Sequence, residues 1–272
     1  RETIEVKHQR AIGEISVSVR SDDRGVTQLE DLRQAGSMRA VFPRPSREHF
    51  EAVVLNTAGG VTGGDDFATT LTVGNGAKLS LTTQAAERIY RAVNDVAGQI
   101  QNTLTLAQDA QIYWLPQETI LFDGCQLERR LNVDLTKTSR FLMLEPLVFG
   151  REASGENLTA CAFSDRVNIS CDGQPVYIDG IDLRDDVFEN MKRSAVGNAN
   201  RALANIVLFD RDAAQLLDGV RALLPALGGA SLLADNLLVV RILSQDSYEL
   251  RKTLLPLLTL LTHDAVPKNW RL

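Results

Sequence analysis

Gly13-Glu14-Ile15-Ser16-Val17-Ser18-Val19-Arg20 alternates polar and apolar side chains without a break. Successive side chains of an extended strand point to opposite faces, so this alternation predicts a strand with one buried face. The same alternation, or a short apolar run, recurs at residues 52–55, 68–73, 78–82, 100–106, 111–115, 127–135, 140–144, 157–169 and 175–181. Turn residues separate most of these segments. Gly74-Asn75-Gly76 and Asp172-Gly173 carry residues that tolerate positive φ, a hairpin-type signal. So many strands without regular helical crossovers predict a mainly β protein. The expected body is many-stranded, solenoid- or sandwich-like, and built largely of antiparallel hairpins over residues 1–184.

Beyond residue 184 the period changes. Residues 210–227 predict a helix, capped by Asp210 or Asp212, with Ala213, Leu216, Leu217, Val220, Leu223 and Leu224 at helical spacing and Gly228-Gly229 ending it. Residues 237–243 predict a strand. Residues 244–263 predict a second helix, which Pro256 must kink or divide. Val187, Met191, Ala195, Ala199 and Leu203 fall at four-residue spacing and suggest a further helix over residues 185–206. Two to three C-terminal helices are therefore expected in residues 185–272, packed on the same domain because no Pro- or Ser-rich linker marks a boundary.

The chain has 272 residues, 44% hydrophobic and 24% charged, with a formal net charge of −6. That is enough chain for a substantial core, and the charge argues against general nucleic-acid affinity. Three cysteines without close pairing suit a reducing cytosol better than a disulfide scaffold. No secretory apolar region stands at the start and no apolar stretch is long enough to span a bilayer, so a cytoplasmic protein without membrane contact is expected.

Four glycines in two pairs, Gly59-Gly60 and Gly63-Gly64, close against Asp65 and Asp66. Paired glycines indicate a tight, closely approached turn that holds both acids in place. The Gly-x4-Gly spacing also occurs in phosphate loops. There, Lys and Ser or Thr follow, whereas two aspartates here would repel a triphosphate. A second acidic group, Glu118 and Asp123, interrupts the apolar segment Trp114 to Gly124. A third contains Glu145, Arg151 and Glu156, and Arg151 carries a planar cation suited to two-pronged pairing with a carboxylate. Glu145 with Arg151 reads equally as a buried structural ion pair. The histidines His8, His49 and His263 are far apart and outside any zinc or general-base motif, which makes them surface or cap residues. Nucleophile-elbow, Cys-x-x-Cys and dinucleotide signatures do not occur. A carboxylate-pair hydrolase using Asp65 with Glu118 or Glu145 stays open, as does a β-rich ligand-binding module.

Taken together, these segments resemble the urease accessory protein UreD family, called UreH in some lineages. The resemblance rests on motifs in order: Gln34 to Arg44, Gly-Gly-x-x-Gly-Gly-Asp ending at Asp65, Leu79 to Ala86 with Tyr90-Arg91, Leu115-Pro116-Gln117-Glu118-Thr119 through Gly124, and Gly150-Arg151-Glu152-x-x-Gly155-Glu156. Residues 34–182 carry it strongly. Beyond them the agreement is mainly of type, with the ending Pro267 to Trp270. Asn56-Thr57-Ala58 stands where many members have His-Pro-Pro, and Cys125 where a small residue is common. The resemblance implies a non-enzymatic maturation factor of mostly β fold with C-terminal helices. It implies partners UreF, the GTPase UreG and the urease subunits, and help in delivering nickel to an active site built on a carbamylated lysine. GTP binding would belong to UreG.

Scattered carboxylates attract an ion without trapping it. Asp65, Glu118 and Glu145 are therefore expected to line a passage for transient Ni2+ with no tightly bound cofactor, supported by Asp66, Asp123, Arg151 and Glu156. Tyr248, Leu254, Leu255, Leu258 and Leu261, with Leu257, give the last helix more apolar surface than one stripe needs, an expected partner-binding patch.

Overall fold

The computed structural model describes residues 9–43, 49–93, 95–151 and 154–271; His8 and Glu152 lie outside them. In chain order the strands are β1 (Ile12–Ser21), β2 (Thr27–Gly36), β3 (Met38–Val41), β4 (Phe50–Asn56), β5 (Asp66–Val73), β6 (Lys78–Thr83), β7 (Glu87–Ile89), β8 (Gly98–Leu106), β9 (Gln111–Leu115), β10 (Thr119–Leu121), β11 (Cys125–Leu135), β12 (Arg140–Phe149), β13 (Cys161–Cys171) and β14 (Gln174–Arg184). There follow α1 (Val187–Lys192), β15 (Ala202–Phe209), α2 (Ala213–Leu223), β16 (Gly228–Ala234), β17 (Leu237–Ser244) and α3 (Ser247–Leu261), then a 3-10 turn at Lys268–Trp270.

From β4 to β13 the chain passes back and forth between two stacked sheets, with β6 and β7, and again β9 and β10, consecutive in the central one, so it winds as a solenoid. The outer sheet runs β14-β13-β11-β8-β5-β1-β2 and the central sheet β16-β17-β15-β12-β9-β6-β4-β3, with β10 and β7 alongside β12. Within the coils the neighbours β5·β8, β8·β11, β11·β13, β4·β6, β6·β9 and β9·β12 are all parallel. The solenoid expectation holds, and the expectation of largely antiparallel hairpins is corrected. Antiparallel pairing marks the flanks, at β1·β2, β3·β4, β13·β14 and β15 to β17. Gly74-Asn75-Gly76 shows why. It joins β5 to β6, which lie in different sheets, so it turns a corner instead of folding a hairpin. Gly76 N–H donates to Gln108 O (3.0 Å) and Asn75 Oδ1 accepts from Gln108 N–H (3.2 Å), stacking this corner on that of the next coil. Asp172-Gly173, both at positive φ, does form the expected hairpin between β13 and β14.

The outer sheet keeps one face in water, and β11 shows strict alternation of buried and other positions. The central sheet is covered on both faces, which accounts for the near-continuous apolar runs of β9, β12 and β15. Ile112, Trp114, Phe141 and Met143 face the outer sheet in the first core. Tyr113, Leu115, Leu142 and Leu144 face α2 and α3 in the second. Burying residues of that size fully is worth roughly 1.5–3 kcal/mol each, so the second core is a substantial part of the fold.

The segment after residue 184 is not helical throughout. Only α1 forms within 185–206, because Asn198 and Ala199 take positive φ and the run Ala202–Phe209 is drawn into the central sheet as β15. Tertiary burial overrides the four-residue spacing. Gly228 and Gly229 open β16 instead of closing a helix. Pro256 lies inside α3 without dividing it.

Candidate functional site

Every connection from the central sheet to the outer one falls on the same edge of the solenoid, and these connections stack as rungs. Val61 N–H donates to Arg88 O (2.8 Å), Phe122 N–H to Ile89 O (3.0 Å), Gly150 N–H to Leu121 O (2.9 Å) and Gly124 N–H to Ala160 O (2.7 Å). Segments far apart in sequence thus form one wall. The paired glycines belong to its first rung. At Gly60 (φ 150°) a Cβ would meet the Tyr90 ring at 2.4 Å and Arg88 O at 2.6 Å, and at Gly63 it would meet Val96 O at 2.4 Å. The turn is closely approached, as the glycine pairs predict. Gly59 and Gly64 also take positive φ, with Gly59 in open space.

Asp65, 4% exposed, ties this rung down. Its Oδ1 accepts Ala11 N–H (2.8 Å) and its Oδ2 accepts Thr62 N–H (2.9 Å). Asp66 points to solvent at the start of β5. Asp123 organises the rung between β10 and β11, its Oδ1 accepting from Thr159 N–H and Ala160 N–H (both 2.8 Å) and its Oδ2 meeting Arg91 Nη2 at 2.5 Å. Burial opposes ionisation of this carboxyl, but those donors outweigh it and hold its pKa below the ordinary value. Glu156 accepts Asp123 N–H (2.5 Å) and pairs with Arg151, whose guanidinium lies 4.2 Å over Phe122. Arg151 therefore belongs to Glu156, which corrects the pairing of Glu145 with Arg151.

Glu118 faces the helical layer. Arg251 of α3 donates to Gln117 Oε1 (2.8 Å), Glu118 Oε1 (3.1 Å), Asn269 O (2.9 Å) and Trp270 O (3.1 Å), and sits 4.7 Å from the Trp270 ring. Trp270 Nε1 in turn donates to Leu115 O at 2.9 Å. Glu118 thus fastens the last helix to the sheet. Leu254, Leu257, Leu258 and Leu261 lie fully inside the second core and Leu255 packs against it. The expected exposed leucine patch is absent among them; Tyr248, 69% exposed, keeps its ring in water.

Glu145 takes the inward direction. It lies on β12 between the sheets, 4% exposed, with Oε1 accepting from Trp114 Nε1 (3.1 Å) and Oε2 2.5 Å from Arg129 Nη2. Arg129 on β11 donates through Nε (3.0 Å) and Nη2 (2.6 Å) to Asp165, directly beside it on β13, and through Nη1 to Thr119 Oγ1 (3.1 Å). Burial drives the Glu145 pKa up to about 7; Arg129 pulls against this and Asp165 pushes with it. Arg129 lies between two carboxylates that more than offset its own burial and hold it protonated.

A cavity of about 280 Å3 opens in front of this group. Trp114, Asn102, Thr69, Arg129 and Glu145 line its depth, and Gly59, Gln84, Ala85 and Arg88, all exposed, its outer end. Glu87 stands in the same wall. Asn56 Nδ2 donates to both its oxygens (3.2 and 3.3 Å), and burial pushes its pKa to about 7 against Asn56 and Arg88. Of the three acids expected to share a passage, then, Glu145 alone lines the cavity. Asp65 and Glu118 sit elsewhere, each engaged, and no acid pair among the three makes a hydrolase site. No group of three His, Cys, Asp or Glu placed to hold a metal occurs among the described residues.

Glu87, Arg129 and Asp165 do not stand out from motif spacing, yet two of them are legible. Arg129 falls in the buried register of Cys125, Leu127, Leu131 and Val133, and Asp165 in that of Cys161, Phe163, Val167 and Ile169. A charge in a buried register needs a partner, and these two are each other's. Two expected surface or cap histidines also separate. His263 follows α3 at positive φ, while His49 is buried, stacked 4.8 Å from Tyr113 and 2.9 Å from Gln111, where burial lowers its pKa to about 4.

A parallel β-solenoid with its motif rungs on one edge and helices over its second sheet defines the class: a β-solenoid protein whose acids mostly secure structure around an inter-sheet cavity. The family model described as UreD urease accessory protein matches residues 11–271. The chain belongs to the UreD urease accessory protein family. Proteins named urease accessory protein UreD include one from Roseobacter denitrificans, 42% identical over 263 residues (97% of this chain, 96% of the relative). Another from Ruegeria pomeroyi is 45% identical over 242 residues (89% and 94%), and one from Mesorhizobium japonicum 39% over 268 residues (97% and 95%). No helix among the described residues is long and apolar enough to cross a membrane.

Proposed function

We propose that this chain is a catalytically silent urease maturation factor, which joins UreF and the GTPase UreG on urease apoprotein and passes nickel through its inter-sheet cavity. The observation that carries the reading is the cavity itself, with Glu87 and Glu145 in one wall and a mouth at the edge where the family's motifs stack. Ni2+ is cargo here. Carboxylate and amide oxygens are weak partners for it compared with thiolate or imidazole, which suits entry and release. Membership of the family supports the urease partnership, and the free thiols of Cys125, Cys161 and Cys171 support work in the reducing cytoplasm. Asp65, Asp123 and Glu156 then act by holding the rungs that frame the mouth. Tyr248 is the part of the expected partner patch that remains in solvent.

The test is co-production of urease with its accessory proteins and Glu87→Ala or Glu145→Gln in this chain. Both variants are expected to assemble the complex yet leave urease with at most a tenth of its nickel and activity. Full activation by both would remove the conduit from the reading, and turnover of a small molecule by the isolated chain would overturn its non-enzymatic part.

A further inference from the structure

Two cavities meet at one ion pair. The larger lies on one side of Arg129 and Glu145, and a smaller one of about 10 Å3, room for a single water-sized particle, lies on the other; the two residues line both. Asp165, Asp179 and Asn205 line the smaller cavity too. Asn205 stands opposite Glu145 in the β12·β15 register, and its Oδ1 accepts no hydrogen bond among the described residues.

Arg129 is held unequally. Asp165 grips it at two points, through Nε and Nη2, and Thr119 takes Nη1. Glu145 meets it at one point, Oε2 on Nη2, while Trp114 fixes the other oxygen. Asp165 alone neutralises the guanidinium, so Glu145 is a second carboxylate on a single cation. A guanidinium fixed at this constriction would repel an arriving cation, yet the weaker of its two carboxylate contacts faces the larger cavity.

We propose that Arg129 is the gate of the passage, and that it opens when a hydrated divalent cation in the larger cavity takes Glu145 Oε2 from the guanidinium, which stays on Asp165. The inference rests on the conduit reading above. Charge balances at each stage. Before exchange, Arg129 and Asp165 cancel and the Glu145 carboxylate, with both oxygens facing N–H groups, carries the one net negative charge of the group. On exchange that carboxylate turns Oε2 to the divalent ion, no proton moves, and the Arg129–Asp165 pair is unchanged.

The full-length chain supplies its own reporter, because Trp114 donates to the carboxylate that changes partner and Ni2+ quenches indole fluorescence. Titration with nickel chloride is expected to quench an emission that Trp114→Phe identifies, and Glu145→Gln is expected to abolish the effect. Asp165→Asn leaves Arg129 with Glu145 as its remaining carboxylate, closing the gate; the half-saturating Ni2+ concentration is expected to rise at least tenfold and urease activation to fall with it. Arg129→Lys retains the charge but not the two-pronged grip, and is expected to lower half-saturation at least threefold, which keeps the test available if Asp165→Asn fails to fold. Values within twofold of the native chain in whichever of these variants fold would overturn the gate. The conduit survives that outcome if Glu145→Gln still blocks activation, and fails with the gate if Glu145→Gln and Glu87→Ala both activate urease normally.

Discussion

At the scale of single residues, the chain's acids divide by what meets their oxygens. Asp65 spends both on backbone N–H groups, so Asp65→Ala leaves two half-buried donors unmatched and is expected to cost about 1–3 kcal/mol, read as a lower urea midpoint at unchanged slope. Asp65→Asn, which keeps one acceptor oxygen, should lose about half of that. Glu87 behaves in the opposite sense because burial raises its pKa to about 7. Between its ordinary value and 7 the folded protein holds a proton that the unfolded chain has lost, so this contribution is full at low pH and disappears as pH rises through 7. Glu145 adds a like slope, whereas the lowered pKa of His49 makes stability rise from pH 4 to 6.5. Thermal unfolding from pH 6.5 to 8 isolates the glutamates: the melting temperature of the native chain is expected to fall, and Glu87→Gln to flatten the decline. The acids were visible in the sequence, but not which atoms they meet. Arg129 and Asp165 were there to be found as charges in a buried alternation, and Glu87, in a strand of three residues, carried no such pattern.

At the scale of elements, the glycine turn and the last helix make contrasting demands. Gly60→Ala drives a methyl into Tyr90 and a carbonyl, where overpacking adds to an unfavourable φ, and is expected to cost at least about 3 kcal/mol. Gly59→Ala meets nothing and is expected to cost about 1 kcal/mol, from conformation alone; urea unfolding of the two variants compares them directly. For α3, Arg251→Ala removes the link from Glu118 and Gln117 to the Lys268–Trp270 turn. Proteolysis near residues 262–271 is expected to accelerate at least tenfold, while cleavage in the solenoid stays unchanged. The alternating strands of the outer sheet and the two longer helices were legible because burial on one face leaves a period. β2 is exposed along most of its length and β15 is buried on both faces, so neither carries a period to read.

At the scale of the whole molecule, sequence could not distinguish hairpins from coils, because parallel pairing joins residues roughly 30 positions apart and the coils differ in length, leaving no strict repeat. The central sheet belongs to both cores, which leads us to expect a single cooperative unit. Trp114 reports the first core and Trp270 the second. Chains carrying one tryptophan each are expected to give coincident urea transitions, and midpoints that differ would show two separately folding parts. The coil spacing also brings Cys125 beside Cys161 on adjacent strands, with their sulfurs 3.6 Å apart. Neighbouring strands lie about 4.7–4.9 Å apart, within the Cα separation a cross-link between such residues tolerates. Both thiols are buried, and the neighbouring sulfur together with burial keeps that of Cys125 protonated, so a preparation left in air is expected to retain all three titratable thiols, and only an added oxidant reaching the pair through local opening would staple these consecutive turns of the winding as one internal bond.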